Sequence, residues 1–331
     1  MYSFRVTNFT IGKPLNTFII AEIGINHEGN FPKCVKMIKL AAKSGANAVK
    51  IQTVDQQDSY QKKTKSFKEF KNKNFSDLQI KKLMSLSKKL KVIFFSTPGD
   101  VKSLKRLIQL KLPMLKISSG LSNNFPLIRE IVKNRTPLII STGMSDLSNL
   151  IELKNFLNRF KFKKISILKC VSKYPTPYNE IDMENIIQYK EIFRYPIGYS
   201  DHSLGILTPS IAVAKGAQII EKHFTLNKKL KGADHKISLE PHEFSQMVKN
   251  IRYTEKILGS SKIKLSKYIK NNKKNFLRVV AARKNIKKGE KFNLGNIKFI
   301  RPINKKGKSP KFFFQIENKK SKKNIRINQI L

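Results

Sequence analysis

Hydrophobic residues along this chain gather into short runs, and eight of those runs are rich in strand-forming side chains. In order they are FIIAEIG (18–24), AVKIQT (48–53), KVIFFST (91–97), MLKISSG (114–120), PLIISTG (137–143), ISILKCV (165–171), PIGYS (196–200) and QIIEKHF (218–224). Between most of them the apolar period lengthens to that of a helix, as in CVKMIKLAAKSG, LQIKKLMSLSKKL, SNLIELKNFLNRF and SIAVAKGA. Short Gly, Pro or Asn signals punctuate the joins, and HEFSQMVKNIRYTEKILG (242–259) adds a long amphipathic helix. Strand–helix alternation repeated eight times predicts an α/β fold, a (β/α)8 TIM barrel over residues 18–258. The rival, an open doubly wound sheet, finds no G-x-G-x-x-G after any strand to support it.

The pattern changes beyond residue 259. Residues 260–275 are rich in Lys and Ser with little hydrophobic order and read as a linker. FLRVVAARKNIKKGEKFNLGNIKFIRP (276–302) then shows short β-runs broken by KKGE and NLGN turns, which predicts a small β-rich domain over 276–331. Such a domain is marginal alone, so it is expected to dock on something. The expected division is therefore a barrel at 1–259, a linker and a tail. The long polar segment 55–75 after the second strand is a candidate lid over the barrel mouth.

Composition narrows the function classes. With 331 residues and 40% hydrophobic content the chain fits a folded soluble protein. No apolar run approaches membrane-spanning length, and MYSFRVTNFTIGK lacks a signal-peptide core, so a cytoplasmic protein without membrane contact is expected. Cys34 and Cys170 are too few for a disulfide framework. The net charge of +45 raises nucleic-acid binding as an alternative. The lysines are spread, however, as in KKTKSFKEFKNKN (62–74) and KKSKKNIR (319–326), with no interleaved stacking motif, and read as solvated faces. Their field still favours anionic substrates.

A barrel gathers its reactive groups at the C-terminal ends of its strands. Those ends supply Glu22, Lys50, Gln52, Thr97, Lys116, Ser118, Ser119, Thr142, Ser172, Ser200, His202, Glu221 and His223. By the two-residue period of a strand, Lys50 with Gln52, Ser200 with His202, and Glu221 with His223 each share a face. Inward polar pairs are costly unless they bind something. His202 and His223 come from adjacent strands, so their rings can converge on a divalent metal. Lys50 and Lys116 interrupt apolar strands and, with Thr97, Ser119, Ser172 and Ser200, suit a phosphate or carboxylate. A single such lysine could instead form a Schiff base, as in a barrel aldolase. GINHEGN (24–30) reads as loop chemistry with Asn30 capping a helix, and YPTPY (174–178) as a rigid loop near the mouth.

AEIGINHEG, AVKIQT, FFSTP, LKISSG, IISTGM, YPTPY, GYSDHS, EKHFT and the late module ending IRP together resemble the sialic acid (nonulosonate) synthase family, from about residue 16 to 302. The resemblance implies condensation of phosphoenolpyruvate with an N-acylated mannosamine-type sugar, giving a nine-carbon 2-keto acid such as N-acetylneuraminate or N,N'-diacetyllegionaminate. It implies that His202 and His223 hold Mn2+ or Mg2+ beside Gln52. It further implies that Lys50, Thr97, Lys116, Ser119, Ser172 and Ser200 bind phosphoenolpyruvate and that Glu22 serves the reacting centre. Tyr174 and Asp234 would face the sugar. The tail resembles the antifreeze-like (SAF) domain, which would reach across a homodimer and bring Arg301 to the partner's sugar. An ice-binding role for that tail is set aside, since it has no regular Thr array. Two positions depart from neuraminate-making members: Leu121 stands where they carry Glu, and Ser172 where they carry Asn. With ADHKISLEP (233–241), these departures point to a 2,4-diacetamido-6-deoxy sugar as acceptor.

Overall fold

The computed structural model describes residues 2–12, 16–232, 234–260, 262–302 and 307–331, apart from the side chains of 274 and 275. Its contacts divide the chain into two compact units, Met1–Gly259 and Ser260–Leu331.

The first unit opens with a hairpin, β1 (Phe4–Val6) and β2 (Phe9–Ile11). Eight parallel strands follow: β3 (Phe18–Gly24), β4 (Ala48–Thr53), β5 (Ile93–Pro98), β6 (Leu115–Ile117), β7 (Leu138–Ser141), β8 (Ile165–Cys170), β9 (Ile197–Asp201) and β10 (Ile219–His223). They close into a ring in chain order, with β10 pairing back onto β3. Each of the eight apolar runs thus supplies one barrel strand, as the sequence predicts.

The intervening helices start where the sequence caps them. Asn30 accepts a hydrogen bond from the Lys33 amide at the head of Phe31–Lys43. Ser76 with Gln79, and Asp146 with Asn149, form reciprocal capping boxes on Asp77–Lys89 and Leu147–Asn158. Pro241–Leu258 begins with a similar box between Glu240 and Glu243. Among the described residues, no helix is long and apolar enough to cross a membrane.

Alternation along the strands separates two cores. Outward residues such as Ile19, Ala21, Val49, Ile51 and Ile140 pack under the helices. Inward residues fill the lower barrel with Phe18, Ile20, Phe95, Met114, Leu168 and Ile219, and Phe4, Val6 and Ile11 of the hairpin join that cluster. The hairpin therefore plugs the N-terminal end. Gly198 is required in this layer, because a Cβ there would lie 2.5 Å from Leu168 Cδ2 and 2.6 Å from Ile219 Cβ. Above the apolar layer the inward positions turn polar toward the C-terminal ends of the strands.

The second unit holds a two-stranded antiparallel pair, β11 (Val279–Ala282) with β12 (Ile297–Ile300). Val280, Ala282, Ile286, Phe292, Ile297, Phe313 and Ile325 form its core. The stretch expected to be a linker contains a helix, Lys267–Phe276, capped by Ser266. Its many lysines hide the helical period from the sequence reading.

Candidate active site

The polar inward residues line one cavity of about 640 Å³ at the C-terminal end of the barrel. Strands β3, β4 and β5 contribute Glu22, Lys50, Gln52 and Thr97 to it. Lys116 comes from β6, and Ser118 and Ser119 from the turn that follows. Ser172 and Tyr174 lie after β8, while β9 and β10 bring Ser200, His202, Glu221 and His223. Asp234 completes the wall from the loop after β10. Arg301 belongs to the second unit, where its guanidinium lies 5.7 Å from the centre of the Phe276 ring.

Four buried charges interlock at the cavity floor. Lys50 Nζ lies 2.7 Å from Glu22 Oε2, 3.8 Å from Glu221 Oε2 and 3.1 Å from the Thr97 hydroxyl, to which it donates. Lys116 Nζ lies 2.6 Å from Glu221 Oε1, which also accepts from the Ser200 hydroxyl at 3.0 Å. Gln52 donates to Glu22 Oε1 at 3.0 Å. Burial opposes the charge on both lysines, yet they shift in opposite directions. Two carboxylates outweigh burial at Lys50 and hold its ammonium above the usual lysine value. At Lys116, burial, reinforced by the neighbouring Lys50, prevails over Glu221 and lowers its basicity. Glu221 is held well below the carboxylate range, because Lys116 and Lys50 together overcome its burial.

The two imidazoles border this network, with His223 paired in register with Glu22 and two residues beyond Glu221 on β10. His202 Nδ1 is 2.7 Å from the Val171 carbonyl, which can only accept, so Nδ1 carries a proton and donates to it, leaving Nε2 free of that bond. Tyr174 stacks on the His202 ring with centroids 4.1 Å apart. The His202 and His223 centroids are 5.5 Å apart, and buried His223 Nδ1 has no hydrogen-bond partner, with Asp234 Oδ2 at 3.6 Å. Two neighbouring imidazoles, one of them with an unsatisfied buried nitrogen, fit a borderline divalent cation. Among the described residues no group of three or more His, Cys, Asp or Glu could hold a metal ion. A cation here would complete its shell with water and substrate.

The structure also corrects and extends the sequence reading. Thr142 does not reach the cavity: its hydroxyl bonds the Leu168 carbonyl at 3.1 Å and the Tyr189 hydroxyl at 2.9 Å. The alternation that points Ile139 inward places Ser141 in the cavity wall instead. Cys170 lines the cavity with Sγ 3.6 Å from His202 Nδ1. Burial raises the thiol's pKa, but His202, Ser119 and Lys116 more than offset it and the net shift is downward. The small residues Ser141 and Cys170 give no pattern signal, although the two-residue period could have found both. Tyr60, Lys65, Ser66, Glu69 and Phe70 form the outer wall, on and around the short helices Gln56–Ser59 and Lys65–Glu69 of the candidate lid segment. Leu121 is half-buried against the outer apolar core and is not part of the cavity wall.

Comparison with known proteins follows the same outline. The NeuB family model matches residues 37–263, and a SAF domain model matches residues 278–331. The chain is 39% identical to the N,N'-diacetyllegionaminic acid synthase of Campylobacter jejuni, over 87% of this chain and 91% of that protein. It is 35% identical to a pseudaminic acid synthase of the same organism, over 99% and 98% of the two chains. The crystal structure of an N-acetylneuraminic acid (sialic acid) synthetase from Leptospira borgpetersenii superposes with a TM-score of 0.77 at 33% identity, covering 82% of this chain and 95% of that one.

Proposed function

This chain belongs to the NeuB family of sialic acid synthase enzymes and ends in a SAF domain, and from that premise we propose that it condenses phosphoenolpyruvate with an N-acylated mannosamine-type sugar. The products are a nine-carbon 2-keto acid and inorganic phosphate. The observation that carries this reading is one cavity in which two buried lysines and four hydroxyls face Glu22 and a pair of imidazoles.

Phosphoenolpyruvate presents a carboxylate and a phosphate. Lys50, Lys116 and the hydroxyls of Thr97, Ser119, Ser172 and Ser200 supply charge and donors for both. When the enol carbon joins the aldehyde carbon of the open-chain sugar, positive charge develops at C2 of the phosphoenolpyruvate unit. Glu22, steadied by Lys50 and Gln52, takes a proton from the water that adds there, and that proton passes to the former aldehyde oxygen, which becomes a hydroxyl. Departure of phosphate from that carbon leaves the keto group. A divalent cation, Mn2+ or Mg2+, would be held by His202 and His223 and would polarise the aldehyde oxygen. Tyr174 and Asp234 face the sugar, and Arg301 reaches it from the SAF domain of a second copy in a homodimer.

The acceptor we assign is a 2,4-diacetamido-6-deoxy sugar, with N,N'-diacetyllegionaminate as product. Support for this acceptor comes from the resemblance at Leu121, Ser172 and 233–241 and from the 39% identity to an N,N'-diacetyllegionaminic acid synthase, while Leu121 itself packs on the apolar core outside the cavity. Purified protein with phosphoenolpyruvate, Mn2+ and a panel of acylated sugars tests this reading. Phosphate release is expected to require a sugar and to be faster with the diacetamido sugar than with N-acetylmannosamine. A folded sample that releases phosphate with none of them overturns the proposal.

One observation favours a second reading. Lys116 is buried and made less basic by its surroundings, as a Schiff-base lysine would be. That reading predicts a pyruvyl adduct trapped by borohydride and turnover indifferent to chelators.

A further inference from the structure

A second cavity, of about 470 Å³, lies beside the reacting one and shares Ile25 and Glu69 with it. Lys68, Lys71, Lys73 and Lys231 line it, and among the described residues none of these four ammonium groups is in an ion pair. The two carboxylates of its wall are already matched, Glu28 by Lys33 at 2.6 Å and Glu69 by Lys65 at 3.5 Å. The surplus in the cavity is therefore positive.

His235 adds a buried polar group to that wall. The side chain is fully buried, its Nδ1 is 2.7 Å from the Thr225 hydroxyl, and its Nε2 has no hydrogen-bond partner. The nearest carboxylate oxygen, Glu28 Oε1, is 3.5 Å away. In the tautomer with the Thr225 hydroxyl donating to Nδ1, Nε2 carries a proton. Its nearest acceptor, Glu28 Oε1 at 3.5 Å, is too far for a good hydrogen bond, which leaves room for a nearer acceptor. The wall is also held in place. Gly29, at φ +76°, packs so closely on the segment carrying the lysines that a Cβ there would collide with the Asn72 carbonyl.

We infer that this cavity is a second anion site, which takes a phosphate-bearing ligand and captures phosphoenolpyruvate before it enters the reacting cavity. A phosphate offers enough acceptor oxygens to satisfy one buried N–H and several ammonium groups together. A concave cationic wall concentrates such an anion next to the place where it is consumed. The inference rests on the proposed reaction only for the identity of the natural anion.

The test is a titration of the full chain with phosphoenolpyruvate, and separately with inorganic phosphate, followed by calorimetry. The Lys116→Met variant, first shown by circular dichroism to keep the native fold, weakens anion binding in the first cavity, where Lys50 remains, so the second cavity is read from the lysine pairs compared below. It is expected to bind one equivalent of phosphoenolpyruvate, more tightly than phosphate. Adding Lys71→Gln and Lys231→Gln should weaken that binding at least tenfold, whereas adding Lys81→Gln and Lys82→Gln, which removes the same charge from an exposed helix face, should not. In the otherwise native chain, Lys71→Gln with Lys231→Gln should lower kcat/KM for phosphoenolpyruvate severalfold at low ionic strength and leave kcat unchanged. No binding to Lys116→Met, equal weakening by the control pair, or phosphate binding more tightly than phosphoenolpyruvate would each overturn the inference. Failure of the condensation reaction itself would leave the titration of Lys116→Met unchanged, so the two proposals stand or fall separately.

Discussion

Lys116 and Glu221 stand on strands four places apart in the eight-membered ring, β6 and β10, and meet inside the barrel with Nζ and Oε1 2.6 Å apart. The pair spans the barrel where its apolar filling ends. Buried ion pairs add little net stability, because desolvation offsets their attraction, but an unmatched buried charge is costly. The network thus fixes the position of two ammonium groups more than it stabilises the fold.

A double-mutant cycle follows from this. Lys116→Met and Glu221→Met should each destabilise the chain by about 3–5 kcal/mol, since each strands a buried charge. The combined variant should be more stable than either single one. Urea unfolding measures all three, and additive losses would show that the pair is not coupled.

The lowered basicity of Lys116 gives a pH dependence with a definite sign. Burial and Lys50 hold its folded pKa below the unfolded value of 10.5. Anion binding needs the protonated ammonium, so it is complete below the lowered pKa and is lost as pH rises through it. The KM for phosphoenolpyruvate should climb at alkaline pH values where a free lysine is still charged. Lys116→Arg, whose guanidinium stays protonated, should flatten the climb. A flat profile in the wild type would place the anion elsewhere.

Gly198→Ala tests the packing beneath the site. The added methyl would press on Leu168 and Ile219, and overpacking of this kind costs about 1–3 kcal/mol. Thermal unfolding should show the loss, and an unchanged Tm would mean that the lower barrel is looser than described.

Arg301→Ala should raise the KM for the sugar about tenfold, or roughly 1.4 kcal/mol, and leave that for phosphoenolpyruvate unchanged. If the tail serves a partner's site, mixing Arg301→Ala and Lys116→Met chains restores activity. A mixed dimer then holds one barrel with an intact Lys116 facing an intact Arg301. No recovery after subunit exchange would assign each tail to its own barrel.

The barrel was legible because strands buried on both faces read as unbroken apolar runs, such as FIIAEIG and AVKIQT. The same background made Lys50 and Lys116 stand out, and the two-residue period placed them with Gln52 and Glu221 on the inner face. What escaped the sequence had weak local signals. The plugging hairpin consists of two three-residue strands, too short for a period to show. Cys170 and Ser141 are small enough to pass as filler in apolar strands. Thr142 misled because it sits at a strand end but one residue off the inward register of Ile139 and Ser141. The lysine-lined second cavity is assembled from segments about 160 residues apart, around Lys71 and Lys231, and no single stretch announces it.

The imidazole pair offers the most direct test of the account. Phosphate release from phosphoenolpyruvate and sugar should be measured in the wild type, His202→Ala and His223→Ala, each after chelation and again after Mn2+ is restored. The account predicts that the wild type falls silent on chelation and recovers with Mn2+, while both variants stay inactive under either condition. Turnover that ignores the chelator and survives loss of either histidine would contradict it.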